Sequence, residues 1–436
     1  MRLPAKLLLL SLVLSPLASG ALLAQAPAAL TVVRFGKLLD MKGRAVDDAV
    51  VVIRGERVER VSSGDAAVPA GARVIDLRPM IGLPGLLDMH THMTYWCDRA
   101  PGTRPFARLS AFSTPVLVYL AQENVRRTLA SGVTTVRDLG AGDYGDIAMR
   151  TLINRGSMVG PRMFVAGRGL HVSSGFIPTG VVRPDGGRAD GVAEVMFAAR
   201  QQLAAGADWI KMYGSTGSDQ DVSGFQTFTY EEMKAAADVA HQAGKRIAIH
   251  SYGPDGARDA VRAGTNSVEH ATDMDDATLA EMARRGTYYV PTVDHNRYYV
   301  DHREEYGYDD AVVARLNEYR ARNFATLAKA VKAGVKIAMG SDAVFTGFGE
   351  NTRELEWFVK AGMTPMQAIA TATTNAAELL GMSDRLGAVA PGYFADLIAV
   401  ERDPTTDISA ITSGVRWVMK GGEVVVDRTG PPGAAR

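Results

Sequence analysis

The chain has 436 residues, of which 47% are hydrophobic and 22% charged. That balance suits a large buried core and excludes a disordered or collagen-like chain, and the single cysteine, Cys97, excludes a disulfide scaffold. Lysine plus arginine equal aspartate plus glutamate at 48 each, so charge gives no reason to expect nucleic acid or an anionic membrane as a partner.

Arg2 and Lys6 form a basic start, Leu7 to Leu14 a compact apolar run, and Ala18 to Ala24 a stretch rich in small residues. This is the layout of a secretory signal peptide, and its apolar part is too short to span a bilayer. The reading assigns residues 1–24 to a cleaved signal and the mature chain, slightly acidic and without a membrane segment, to a periplasm or the exterior.

From Leu30 to Ile75 short β-rich runs alternate with turns punctuated by Gly43, Gly55 and Gly64, and Asp396 to Val426 repeats that texture at the far end. Between them apolar strands such as Val133–Val136 alternate with helical stretches such as Glu231–Gly244. That rhythm predicts repeated βα units and a parallel sheet. Eight strands are expected, ending near His92, Asp138, Leu170, Met212, His250, His270, Thr292 and Asp342. The predicted fold is therefore α/β: a (β/α)8 barrel over residues 81–385, with the flanks 25–80 and 386–436 pairing into one small composite β-sandwich.

Chemistry-bearing residues gather at the strand ends. In Asp88-Met89-His90-Thr91-His92, alternation puts His90 and His92 on one face, within reach of one ion. Lys211, His250, His270 and Asp342 each end an expected strand, on the rim where barrel active sites lie. Four of the eight histidines thus fall at strand ends, which points to a shared metal site. A free Lys211 ammonium beside divalent cations would be repelled. Its neutral amine can instead take up carbon dioxide, and the resulting carbamate (N6-carboxylysine) can bridge two ions about 3.5–4 Å apart. The alternative is a lysine paired with Asp208.

These residues resemble the amidohydrolase superfamily, in particular imidazolonepropionase-like enzymes and Xaa-Pro-type dipeptidases. The resemblance covers the leading β segment, Asp-x-His-x-His, Gly132 to Asp138, Trp209-Ile210-Lys211, the later histidines, Gly340-Ser341-Asp342 and Gly392 to Leu397. Trp209 to Gly217 is also similar to carboxypeptidase-like and ochratoxin-degrading members. The resemblance implies that His90, His92 and Asp342 hold one divalent metal, that His250 and His270 hold a second, and that carboxylated Lys211 bridges them. Zinc suits such mixed nitrogen and oxygen ligands best. Imidazolonepropionases use one metal and lack the lysine, so Lys211 favours the binuclear side. Relatives commonly assemble, which implies a homo-oligomer. Many carry Gly-Gly-His after the third strand, where this chain reads His171-Val172-Ser173, so no role passes to His171.

The expected activity is hydrolysis of a linear amide in dipeptides or N-acyl amino acids, ochratoxin A among them. Two cations activate a water, Asp342 moves its proton to the departing amine, and Tyr252 stands to stabilise the carbonyl oxygen unless it only packs at the rim. His295, Arg183 and Arg297 are candidates for the substrate carboxylate. Tyr95, Trp96, Phe176, Phe225, Phe228, Tyr298 and Tyr299 crowd the predicted rim, and Arg137-Asp138 reads as a structural pair. One alternative is a mononuclear hydrolase of cyclic amides or imines, or a deaminase. Another is a non-enzymatic periplasmic binding protein.

Overall fold

A computed structural model describes residues 30–109, 111–175 and 187–430. The signal-peptide reading, Phe176 and Arg183 lie outside the described residues. Among those described, no helix is long and apolar enough to cross a membrane.

The two flanks of the described chain meet in one seven-stranded sheet. The first strands are β1 (Leu30–Leu39), β2 (Ala45–Arg54), β3 (Arg57–Ser63) and β4 (Arg73–Pro84). After seven barrel strands, β5 to β11, come β12 (Leu397–Val400), β13 (Val415–Lys420) and β14 (Glu423–Asp427). The order is β14-β13-β12-β4-β1-β2-β3, with β12 antiparallel to β4. Alternation sends Val33, Phe35, Val51 and Ile53 to one face, where Trp417 and Met419 join them, and Val32, Val50 and Val52 to the other. Phe35 meets Trp417 edge to face at 6.5 Å, so an aromatic contact ties the two flanks.

The middle of the chain forms the barrel. β5 (Leu86–Thr91), β6 (Val133–Asp138) and β7 (Arg162–Val165) make one parallel ladder. β8 (Trp209–Tyr213), β9 (Arg246–Ser251), β10 (Ser267–His270) and β11 (Tyr288–Val290) make the second. Leu170, just past β7, joins the ladders by donating to Lys211 O at 2.8 Å and accepting from Tyr213 N at 2.9 Å. On the far side residues 335–343 close the ring. Tyr289 N donates to Lys336 O at 2.8 Å, Met89 N to Met339 O at 2.8 Å and Asp342 N to His90 O at 2.7 Å. This eighth segment approaches so closely that a Cβ at Gly340 would sit 2.3 Å from Val290 Cγ1 and 2.9 Å from His90 Cβ.

Helices fill the intervals between strands. The shortest crossover, from His250 to His270, holds the helix Pro254–Ala263, which Gly264 ends in the left-handed region at φ 93°. Tyr230–Gln242 starts from a reciprocal cap between Thr229 and Glu232.

Trp417 is buried on the composite sheet. Trp417→Ala is expected to cost about 3–5 kcal/mol and to lower the melting temperature while leaving the metal content of the barrel intact. An unchanged melting temperature would mean that the flanks do not depend on this contact.

Candidate metal centre

Five elements deliver the predicted ligands to one end of the barrel. β5 brings His90, with His92 one residue past its end. Lys211 stands on β8, His250 on β9, His270 at the tip of β10 and Asp342 on the eighth segment. All six line one small cavity, together with Tyr252 and His295. Ring centroids are 5.4 Å apart for His90–His92, 4.8 Å for His90–His270 and 4.6 Å for His250–His270. Ligand atoms of His90, His270 and Asp342 lie within 4.8 Å of one another. Asp342 stands between the imidazoles: its Oδ1 is 3.3 Å from His92 Nε2 and 3.6 Å from His90 Nε2, and its Oδ2 is 3.2 Å from His295 Nε2 and 3.9 Å from His270 Nδ1. His270, Thr292 and Asp342 adopt positive φ of 72°, 49° and 49°. Such backbone is costly for these residues and concentrates at working sites.

The donor set fits a cation. His90 Nδ1 lies 2.8 Å from Glu269 Oε2 and His92 Nδ1 lies 3.0 Å from Gly140 O. Both partners only accept, so each Nδ1 carries a proton, and the Nε2 of each ring is the atom turned inward. His270 Nδ1 bonds Thr292 Oγ1 at 2.7 Å and is also the nitrogen 3.9 Å from Asp342 Oδ2. Burial, reinforced by Lys211 and neighbouring imidazoles, drives His90 and His250 well below the usual histidine range, and burial does the same to His270. Neutral imidazoles are the form that binds metal. Burial alone would raise the Asp342 carboxyl, but His295, His92 and His270 outweigh it and hold the group well below the usual carboxylate range.

Lys211 is fully buried, its Nζ 3.4 Å from His90 Nε2. The partner expected in the alternative reading is engaged elsewhere, since Asp208 Oδ2 pairs with Arg150 at 2.6 Å. Burial lowers the Lys211 ammonium to about 8, against the pull of Glu269 and Asp342. A lysine so poised presents far more neutral amine near neutral pH than an ordinary lysine, and that is the form that combines with carbon dioxide.

Tyr252 stacks on His250 at 5.0 Å and on Tyr319 at 4.5 Å, and burial pushes its phenol well above the ordinary value, so it remains a hydrogen-bond donor. His295 enters the cavity too, its Nδ1 2.8 Å from the Asp342 carbonyl and its Nε2 2.8 Å from Tyr299 Oη. Arg297 does not. Its guanidinium is held by Asp294 at 3.0 Å and also by Asp301 and Glu350, which removes it as a carboxylate receptor. Arg137 pairs with Glu269 at 2.9 Å rather than with Asp138, whose Oδ2 accepts from Met93 N at 2.5 Å. Of the rim aromatics, Tyr95 and Tyr299 line the cavity, Phe228 and Tyr298 are buried outside it, and Phe225 is 72% exposed. Trp96 bonds Glu123 at 3.0 Å. Cys97 packs in an aromatic cluster with Tyr95 and Phe345, and its thiol is pushed up by burial. His171 turns Nδ1 to Gly169 O at 3.1 Å.

Residues not expected from sequence also matter. Phe106, Tyr213 and Ser218 complete the cavity wall. Asp88 accepts from Ser341 N at 2.9 Å, Asn351 Nδ2 at 3.0 Å and His90 N at 3.2 Å, clamping β5 to the segment that carries Asp342. Its place in Asp-x-His-x-His was the available signal. Glu269 had none, because alternation points it away from His270.

The sequence model of the amidohydrolase family matches residues 81–425. The chain belongs to the amidohydrolase family. Ochratoxinase from Aspergillus niger is 31% identical over 430 residues, covering 91% of this chain and 87% of that one. Imidazolonepropionase from Deinococcus deserti is 27% identical over 412 residues, covering 86% and 92%. A crystal structure of a Xaa-Pro dipeptidase with methionine bound in its active site superposes with a TM-score of 0.82 at 33% identity, covering 91% of this chain and 99% of that one. This amidohydrolase is a hydrolase acting on amide bonds, and the non-enzymatic reading is set aside.

The lysine makes the metal-free amidohydrolase responsive to pH. Its amine is neutral above about pH 8 and protonated below, so uptake of labelled bicarbonate, followed by carbon-13 NMR as a carbamate signal, should grow as pH rises through that value. A signal of equal size in Lys211→Ala would remove Lys211 as its site.

Proposed function

We propose that this amidohydrolase holds two divalent cations, most suitably zinc, and hydrolyses a linear amide in dipeptides or N-acyl amino acids, including ochratoxin A. One observation carries the reading: five imidazoles, a buried amine of lowered pKa and one carboxylate line a single cavity. His90, His92 and Asp342 would hold one ion, His250 and His270 the other, and a carboxylated Lys211 would join both. When bound, the ions supply Lewis acidity and lower the pKa of water.

The chain's own groups do the rest. Asp342, ionised and central, accepts the proton of the attacking water and returns it to the departing amine. Tyr252, kept protonated by burial, donates to the carbonyl oxygen as charge develops there. His295 and Tyr299 stand beside Asp342 as polar contacts for the substrate carboxylate. Tyr95, Phe106 and Tyr213 give the cavity an aromatic wall, which suits an aromatic acyl or leaving group and agrees with the likeness to ochratoxinase. The basic start and apolar run of residues 1–24 support export, with the mature chain working in the periplasm or outside the cell.

Purified protein loaded with zinc should cleave N-acyl amino acids, dipeptides with aromatic C-terminal residues and ochratoxin A. Asp342→Asn should lower kcat roughly 100- to 10,000-fold, and Lys211→Ala should reduce bound metal from two ions towards one. Silence on every linear amide, with ring opening of a cyclic amide and one ion per chain, would overturn the proposal in favour of an imidazolonepropionase-like reaction. Mass spectrometry of exported protein should find an amino terminus at Gln25; an intact Met1 would contradict export by cleavage.

A further inference from the structure

Beneath the cavity lies an ion pair that none of these steps uses. Arg137 on β6 and Glu269 on β10 are both fully buried. Strict alternation along β10 would turn Glu269 outward if His270 turns inward. The chain evades this because His270 and Ala271 take positive φ, 72° and 32°, so that both side chains reach the barrel interior. Ser267, two residues earlier on the same face, donates its hydroxyl to Glu269 Oε1.

The pair grips His90 from two sides. Glu269 Oε2 is 2.8 Å from His90 Nδ1, while its Oε1 accepts from Arg137 Nη2 at 2.9 Å. Arg137 Nε donates to the carbonyl of Met89, the residue before His90, at 2.6 Å, and Nη1 donates to Ser267 Oγ at 2.9 Å. The guanidinium also lies over the Trp209 ring, 4.5 Å from its centroid. Both the ring of His90 and the backbone leading into it are therefore held by one charged unit. The other inward rings have weaker supports: His92 uses a backbone carbonyl and His270 a hydroxyl. A carboxylate fixes the tautomer more firmly and makes the ring a stronger ligand.

Stability is a poor reason to keep this pair. A buried ion pair gains little or nothing over well-packed apolar side chains of similar volume, although breaking one partner alone is strongly destabilising. We propose that Glu269, locked in place by Arg137, is the positioning residue for His90, and that the pair sets the affinity of the cation held by His90, His92 and Asp342 more than that of the cation held by His250 and His270. The inference rests on the binuclear reading above.

The experiment compares wild type, the double variant Arg137→Met/Glu269→Leu and the conservative single variant Glu269→Gln, each as the full mature chain. Zinc per chain is read by mass spectrometry after dialysis, zinc affinity by competition with a chromogenic chelator, and folding by the melting temperature of the metal-free protein. Wild type should hold two ions. The double variant should melt near wild type yet bind one ion about 10- to 100-fold more weakly, with stoichiometry falling towards one. Glu269→Gln keeps an acceptor for Nδ1 and should fall between them. A folded double variant that holds both ions with wild-type affinity would overturn the proposal. If the double variant does not fold, wild-type affinity in Glu269→Gln and in Glu269→Asp overturns it equally. Fewer than two ions in wild type would overturn the binuclear reading itself.

Discussion

The withdrawal of polar side chains from water at one end of the barrel governs the rest of this structure. Five imidazoles, an amine and a carboxylate share a small cavity lined largely by buried groups, where an unpaired charge is costly. The protein meets that constraint by keeping His90, His250 and His270 neutral, lowering the lysine and concentrating negative charge on Asp342. The same arrangement is a set of lone pairs and oxygens facing inward, which is what a divalent cation requires.

Holding such a cluster demands a rigid frame, and the surroundings supply it in layers. Asp88 clamps β5 to the segment bearing Asp342, while Glu354 accepts from Val293 N and Asp294 N at 2.8 Å each, pinning the turn that feeds His295 into the cavity. Asp294 in turn accepts from Trp357 Nε1 at 2.9 Å and holds Arg297. The arginine that resembled a substrate contact is thus part of the scaffold behind the histidine two residues before it. Above the cluster, Tyr95, Phe106, Tyr299, Tyr306 and Phe345 pack in successive edge and tilted contacts. Tyr95, Phe106 and Tyr299 of this cluster line the cavity, with Tyr306 and Phe345 packed behind them.

The composite sheet plays a different part. It buries its own core around Phe35 and Trp417 and is joined to the barrel through β4, which runs by way of Gly85 directly into β5. The strand carrying His90 is thereby anchored at its start by a sheet built from both ends of the chain, with Gly85 N donating to Asp396 O at 2.8 Å.

Much of this was legible in the residues alone. Periodicity separated β-rich flanks from a βα middle, since alternation and helical spacing are local properties of the chain. The residues of the cavity were legible because barrel strands end at one rim, so a histidine, lysine or aspartate closing a strand has only one place to go. What the linear order could not decide was which side chains meet across strands. Glu269 and Arg137 lie 132 positions apart and find each other only because β6 and β10 face one another across the barrel interior. Arg297 and His295, two residues apart on one helical turn, part company for the same reason: helical geometry sends one to the scaffold and the other to the cavity. Local periodicity settled the elements and which side chains close the strands, whereas the partners of each buried charge were settled by closure of the ring, because pairing in a dry interior depends on spatial proximity and not on sequence distance.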